Sequence, residues 1–260
     1  MSLARLQQAK ADGRPIAMLT AYEAGMARTA AASGVDVFLV GDSLGMAVQG
    51  QRDTLSVTVA DMVYHAGMVR RGAGDLPVIA DLPFLSDATV ERALDAAAVL
   101  MGEGGADMVK LEGGAEKAEI VRALTRNGVP VCGHVGLLPQ QVRKLGGYRV
   151  QGRGEEDARR ILADARALVE AGIDLLVVEC VPRALGRQLA EAVEVPVIGI
   201  GAGADTDGQV LVMHDMLGLT ERPPRFVRNF MDGADSIQGA FGAYVEAVRA
   251  RRFPTDEESF

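Results

Sequence analysis

Short apolar runs alternate along the chain with longer segments rich in Ala, Leu, Glu and Arg. This alternation predicts repeated βα units built on a parallel sheet. Within each run the apolar residues are consecutive, as expected for strands that are covered on both faces. We predict strands at Ile16–Thr20, Val37–Val40, Val78–Ala80, Met108–Leu111, Val129–Gly133, Leu175–Val178 and Val195–Ile200, with an eighth near Val210–Met213.

Helical periodicity is clearest at Ala88–Glu103 and Glu155–Ala171, whose apolar residues fall on one stripe. We also predict helices across Phe226–Arg252. Eight βα units in 260 residues predict a single (β/α)₈ barrel domain over residues 1–260. The barrel itself should span about residues 15–220, and the C-terminal helices and tail should follow at 221–260.

Three turns between a helix and a strand share one form, in which a glycine ends the helix two residues before an aspartate. The aspartate then opens the next strand. Such a weak internal repeat predicts equivalent turns at the amino-terminal end of a barrel. The three turns are Ser33–Asp36, Gly104–Asp107 and Ala171–Asp174.

Composition and charge exclude several classes of protein. The formal net charge is −8 and the basic residues are scattered, so we expect no nucleic-acid partner. Cys132 and Cys180 lie in apolar runs, where reduced buried thiols are expected. Met1–Pro15 contains no apolar segment, and no apolar run approaches membrane-spanning length. We therefore expect a cytoplasmic enzyme with no membrane partner.

Polar residues that could carry chemistry stand where the predicted strands end. In a parallel barrel these ends converge on one mouth. Lys110 and Glu112 are two positions apart on one strand, so their side chains point the same way. The residues at the strand ends are Asp42, Ser43, Asp81, Lys110, Glu112, His134 and Glu179.

Crowded carboxylates need compensating charge, because each raises the pKa of the next. A hard divalent cation with oxygen ligands, Mg²⁺ above all, supplies it. Asp42, Asp81 and Glu112 come from neighbouring strands and can face one ion. Glu179 lies across the mouth and is better placed as a general base.

Each residue taken singly has a plainer interpretation. Asp42 or Asp81 could cap the following helix. Lys110 could form an ordinary ion pair with Glu112, and His134 could be a structural histidine. The roles of His134, His214 and Glu23 stay open, but the coincidence of all seven strand-end residues favours an active site.

The same segments resemble a known family. They include LVGDSLGMAVQG (residues 39–50), ADLPF (80–84), MVKLEGG (108–114), VPVCGHVGLLPQ (129–140) and VVECVP (177–182). The chain closely resembles ketopantoate hydroxymethyltransferases from the start of the barrel to the tail. The resemblance implies a barrel of the phosphoenolpyruvate/pyruvate type and a homo-oligomer, typically a decamer.

The resemblance also implies transfer of a one-carbon unit from 5,10-methylenetetrahydrofolate, as co-substrate, to 3-methyl-2-oxobutanoate in pantothenate and coenzyme A biosynthesis. The product is 2-dehydropantoate. Matched by motif, the family's metal positions are Asp42, Asp81 and Glu112, its oxo-acid contacts are Asp42, Ser43, Asp81 and Lys110, and its base is Glu179. We add His134 as a substrate contact. Our hypothesis is that Mg²⁺ stabilises an enolate that forms when Glu179 removes a proton.

Two other functions compete with this one. A C–C lyase or phosphonomutase of the same barrel type would share the metal and the 2-oxo acid site, and its activity would not need folate. A non-catalytic barrel that binds a small acid would tolerate the loss of Glu179, whereas the enzyme would not.

Overall fold

The computed structural model describes residues 3–260. Eight parallel strands close into a barrel in sequence order, and β8 pairs with β1. The strands are β1 (Ile16–Thr20), β2 (Val37–Val40), β3 (Val78–Asp81), β4 (Met108–Glu112), β5 (Val131–Gly136), β6 (Leu175–Glu179), β7 (Val197–Ile200) and β8 (Gly208–Leu211).

The helices surround this barrel and cover its outer face. They are α1 (Leu3–Ala11), α2 (Ala24–Ala32), α3 (Leu44–Ala47), α4 (Val59–Ala73), α5 (Val90–Gly102), α6 (Ala118–Arg126), α7 (Val142–Leu145), α8 (Glu155–Ala171), α9 (Arg183–Ala192), α10 (Met213–Met216) and α11 (Ile237–Arg249). Short 3₁₀ turns lie at Ala115–Lys117 and Pro139–Gln141. The predicted (β/α)₈ barrel is confirmed, and the single-domain boundaries stay a prediction.

The last helix, α11, takes the position beside the barrel that the four-residue α10 is too short to fill. It packs against β1 and α2. The buried hydroxyl of Tyr244 donates to the carbonyls of Met18 and Gln209 at 2.7 and 2.9 Å, which satisfies a polar group that burial would otherwise penalise. Tyr244 thereby joins α11 to the two strands that close the barrel.

The prediction of helices throughout Phe226–Arg252 is wrong for its first part. Residues 226–236 form turns and extended backbone, and α11 is the one α-helix described within residues 221–260. Phe226 and Phe230 are inserted into the core. The Asn229 side chain accepts a hydrogen bond from Met231 N–H, and Gly233 has a φ of 83°. Both features compete with helix formation.

Two strands also begin and end away from their predicted positions. β5 begins at Val131 rather than Val129, because Val129 N–H still bonds Leu124 at the end of α6 and Pro130 has no N–H. β8 covers Gly208–Leu211 rather than Val210–Met213. Met213 already belongs to α10, and its N–H donates to the Thr20 hydroxyl at 2.8 Å.

Candidate active site

All seven of the predicted site residues line one cavity of about 580 Å³ at the carboxyl ends of the strands. A second cavity of about 590 Å³ lies between the segments after β2 and β3. Its charged lining residues, Arg92 and Asp95, are exposed. Buried titratable groups gather in the first cavity, which is therefore the candidate active site.

The turn after β2 brings two carboxylates together. Asp42 N–H donates to Asp81 Oδ2 at 3.0 Å. A Cβ at Gly41 would lie 2.7 Å from Ser43 Oγ, so any larger residue there would displace the Ser43 hydroxyl. The Lys110 ammonium lies 2.6 Å from the other Asp81 oxygen, and both side chains are almost fully buried. β3 and β4 position this pair because Asp81 and Lys110 are directly opposite in the sheet.

Gln140 connects two carboxylates of the cavity, those of Asp42 and Glu112, and it was not among the predicted site residues. Its side-chain amide donates to Asp42 Oδ2 at 2.9 Å and to the Leu82 carbonyl at 3.0 Å. Its backbone N–H donates to Glu112 Oε2 at 3.0 Å. Gln140 follows Pro139 in a short 3₁₀ turn after β5. A glutamine at such a position is ordinarily interpreted as a loop residue.

His134 lies between two glutamates. Its Nδ1 is 3.6 Å from Glu112 Oε1, and its Nε2 is 3.3 Å from Glu179 Oε2. Burial alone would lower the pKa of His134, but the carboxylates on either side raise it to about 9. The two carboxylates therefore favour the protonated imidazole, and Glu179 lies beside this ring as well as beside the apolar residues of β6.

The cavity contains more acidic groups than basic groups. Burial raises the pKa of Asp42 well above its usual value, and Asp81 and Glu112 raise it further. Burial alone would lower the pKa of Lys110, but Asp81, Glu112 and Asp42 raise it. Four carboxyl groups, counting Glu179, thus share one cavity with one ammonium and one imidazole. The remaining negative charge suits a divalent cation.

The protein alone does not form a ready-made metal cage. Within residues 3–260 no three His, Cys, Asp or Glu side chains are arranged to hold a metal ion. All three predicted ligands already have partners: Asp42 accepts from Gln140, Asp81 accepts from Asp42 N–H and Lys110, and Glu112 accepts from Gln140 N–H with His134 beside its other oxygen. Mg²⁺ commonly uses one or two carboxylates and takes its other oxygens from water and substrate. Asp42 and Asp81 fit that requirement.

Ser43 and Tyr148 also line the cavity, and the buried Tyr22 contacts Ser43. The Tyr22 hydroxyl is 2.9 Å from Ser43 Oγ, and burial raises the pKa of Tyr22. Tyr148 lies in the loop of residues 146–154, and together with Arg149 and Val150 it lines the cavity. Burial raises the pKa of Tyr148, and the negative charges of Glu179 and Asp53 raise it further.

No helix within residues 3–260 combines the length and apolar character needed to cross a bilayer.

The chain is similar to known proteins over its whole length. A family model described as ketopantoate hydroxymethyltransferase matches residues 1–256. The 3-methyl-2-oxobutanoate hydroxymethyltransferase of Halorhodospira halophila is 56% identical over 260 residues, covering 100% of this chain and 94% of that protein. The protein of the same name from Chromohalobacter salexigens is 54% identical over 261 residues, covering 100% and 99%.

Solved structures share the fold at lower identity. A phosphoenolpyruvate phosphomutase from Streptomyces platensis subsp. rosaceus superposes with a TM-score of 0.62 at 16% identity, covering 84% of this chain and 82% of that one. A 2,3-dimethylmalate lyase, described as a PEP mutase/isocitrate lyase superfamily member, gives 0.57 at 20% identity, covering 80% of each chain. These likenesses show the barrel type alone.

The predicted family and the prediction of a hydroxymethyltransferase are thereby confirmed, since the family model and both relatives agree over essentially the whole chain. The chain belongs to the ketopantoate hydroxymethyltransferase family.

Proposed function

We propose that the chain transfers a one-carbon unit from 5,10-methylenetetrahydrofolate to 3-methyl-2-oxobutanoate, giving 2-dehydropantoate, with Mg²⁺ bound by Asp42 and Asp81. The single observation that carries the proposal is the position of Glu179. It shares one cavity with the Asp42, Asp81 and Lys110 cluster, and it enters from the far side of His134. Removal of a C3 proton requires a base on one side of the 2-oxo acid and a charged group that holds the acid on the other side.

Mg²⁺ bound at the two aspartates would polarise the keto oxygen of the substrate as a Lewis acid. Glu112 adds negative charge beside this site, where it accepts from Gln140 N–H and lies beside His134. Lys110 and Ser43 orient the substrate carboxylate. The Lys110 ammonium is held by Asp81, and Ser43 is held by the Tyr22 hydroxyl, so both groups are fixed before the substrate arrives.

Glu179 takes the C3 proton and leaves an enolate, whose carbon attacks the methylene carbon of the folate in its opened iminium form, so that the C=N π electrons return to nitrogen. His134 lies 3.3 Å from Glu179 and lines the same cavity, where it favours the carboxylate form of Glu179. Water then replaces the nitrogen at that carbon: the remaining C–N bond breaks, its electrons and a proton go to the tetrahydrofolate nitrogen, and the hydroxyl stays on the product. The cytoplasmic location and the assembly into a homo-oligomer, a decamer by family resemblance, stay predictions alongside this mechanism.

The test is an assay for 2-dehydropantoate from the two substrates, with chelator and with Mg²⁺ restored. We expect product only when both substrates and the metal are present. In parallel, exchange of the C3 proton into deuterated solvent is followed with the 2-oxo acid alone. Cleavage of a 2-oxo acid without folate, with no 2-dehydropantoate formed, would support the lyase instead.

A further inference from the structure

The cavity is larger than a small 2-oxo acid requires, and much of its wall plays no part in the mechanism above. A volume of about 580 Å³ is typical of pockets for drug-sized ligands. The wall opposite β2, β3 and β4 comes from the segment that follows β8 and from the tail. We call this surface the donor wall and define it as Asp215, Thr220, Arg222, Arg225, Phe226 and Phe260.

Asp215 is the acidic group of this wall. It is half-buried in α10, and Thr220 Oγ1 donates to its Oδ1 at 2.5 Å. Asp215 lines the same cavity as Asp42, Asp81, Lys110 and Glu112, so its carboxylate faces the space that the acidic cluster also faces. Burial also raises the pKa of Asp215, so this carboxylate gains from any donors that a ligand brings.

Two aromatic rings form the apolar part of the wall. Phe226 and Phe260 meet edge to face, with ring centroids 6.4 Å apart. The absence of a side chain at Gly201 makes room for Phe226, since a Cβ there would lie 2.7 Å from the ring. The Phe260 carbonyl accepts Arg183 N–H at 2.9 Å, and the Arg225 guanidinium lies 5.8 Å from the Phe260 ring centroid. The rings are thus held in place without a ligand.

Arg222 supplies an available cation at the rim. It is exposed, lines the cavity, and makes no hydrogen bond or ion pair to any residue from 3 to 260. Its neighbour Arg225 differs, because its Nε donates to the Glu257 carbonyl at 2.7 Å. The donor wall therefore combines a half-buried carboxylate, aromatic surface and a solvent-exposed guanidinium.

We propose that the donor wall binds the one-carbon donor, with Asp215 accepting hydrogen bonds from the 2-amino group and N3–H of the reduced pterin. Those two adjacent donors match one carboxylate. The aromatic surface contacts the rings of the donor, and Arg222 pairs with its glutamyl carboxylate. This inference rests on the proposed function, and it assigns a second substrate site whose residues are separate from the acidic cluster.

The test compares Asp215→Asn with Asp232→Asn, a matched change at an exposed carboxylate outside the cavity. Loss of a charge-assisted contact should raise the KM for methylenetetrahydrofolate about 10- to 100-fold in Asp215→Asn alone. The KM for the 2-oxo acid and the C3 proton exchange without folate should keep their wild-type values. A donor analogue without the 2-amino group should bind wild type less well and should remove most of the difference between wild type and Asp215→Asn.

A second pair addresses the rim. Arg222→Gln should raise the KM for the donor about two- to fivefold, less at high salt, and Glu221→Gln at the adjacent exposed position should have no effect. The inference is overturned if Asp215→Asn has the wild-type donor KM, or if it raises both KM values and slows exchange together. Failure of the wild type itself to exchange the C3 proton or to form product would instead overturn the proposed function.

Discussion

Both ends of the barrel carry acidic residues, but the carboxylates have different kinds of partner at the two ends. At the amino-terminal end, an aspartate precedes each even-numbered strand, and its N–H and carboxylate both bond one residue at the start of the preceding strand. The carboxylate accepts that residue's N–H at 2.9–3.0 Å in all four cases. The pairs are Asp36 with Ala17, Asp107 with Val78, Asp174 with Val131 and Asp207 with Val197.

At the carboxyl end the acidic residues instead lie close together and share the same polar partners. Asp42, Asp81 and Glu112 share Lys110 and Gln140, and mutual repulsion raises the pKa of Asp42 beyond the effect of burial. A carboxylate that is satisfied locally stabilises the fold, whereas carboxylates that are crowded together leave charge for a ligand to neutralise. In a barrel enzyme the first arrangement belongs to stability and the second to function.

The largest effect that separates the two ends should come from Glu179→Gln. The amide cannot accept the C3 proton, so exchange with the 2-oxo acid should fall about 10²- to 10⁴-fold, the contribution usual for a general base. Deuterium exchange followed by NMR measures it. Binding of the 2-oxo acid and the unfolding temperature should change little, and exchange at the wild-type rate would remove Glu179 as the base.

Asp36→Ala tests the other end. Asp36 is almost fully buried, and the change removes the acceptor of Ala17 N–H and the partner of Arg14 and Arg249. We expect a loss of about 1–3 kcal/mol in the free energy of unfolding, because a buried donor loses its acceptor. Urea denaturation measures this loss. The folded fraction should keep its turnover number.

Asp12→Ala is the control for that substitution, since Asp12 is exposed and its side chain contacts only Gln8 among the hydrogen bonds described for residues 3–260. It should leave stability within about 0.5 kcal/mol of wild type. If Asp36→Ala lowered turnover without lowering stability, the division of labour between the two ends would be wrong.

The amino-terminal end was the easier end to predict from sequence. The repeated glycine and aspartate predicted three of the four equivalent turns, because a local backbone pattern determines each of them. Asp207 was missed because β7 and β8 are joined without a helix, so the pattern of glycine after helix is absent. β1, β2 and α8 were predicted with their observed bounds, since their burial follows directly from their apolar spacing.

The carboxyl end was predicted only in part. The strand ends predicted seven of the residues that line the cavity, because the strands of a parallel barrel all end at the same mouth, however the loops fold. Gln140 and Asp215 lie in loops and short helices, whose paths depend on packing between distant segments. The path of residues 226–236 also depends on packing, because Phe226 and Phe230 are placed by their burial in the core rather than by a helical repeat.

Asp42→Asn should stabilise the metal-free protein, although changes at buried residues usually destabilise a fold. In metal-free protein, kept so with chelator, the change removes repulsion from Asp81 and Glu112, while the amide oxygen still accepts from Gln140. The unfolding temperature should therefore rise, by about 2–4 °C for each kcal/mol of repulsion relieved. Activity should fall, because stability and function conflict at crowded sites. A lower unfolding temperature without metal would contradict the repulsion argument.

Asp174→Asn should have the smallest effect, and its sign shows whether the amino-terminal carboxylates act as acceptors or as charges. Within residues 3–260 Asp174 has no ion pair, whereas Asp36, Asp107 and Asp207 each have one or more. Burial raises the pKa of Asp174, although Val131 N–H opposes the rise. Because the folded pKa lies above the unfolded value, Asp174 contributes stability that is complete in acid and is lost as pH rises through the folded pKa.

Asparagine keeps an oxygen for Val131 N–H and cannot ionise, so Asp174→Asn should match wild type in acid. At neutral pH it should be more stable than wild type, by less than about 0.5 kcal/mol because the group is half-exposed. Urea denaturation at both pH values measures the difference. If wild type were instead more stable than Asp174→Asn at neutral pH, the amino-terminal end of the barrel would also depend on negative charge for its stability. The two ends would then differ only in how many charges each site holds.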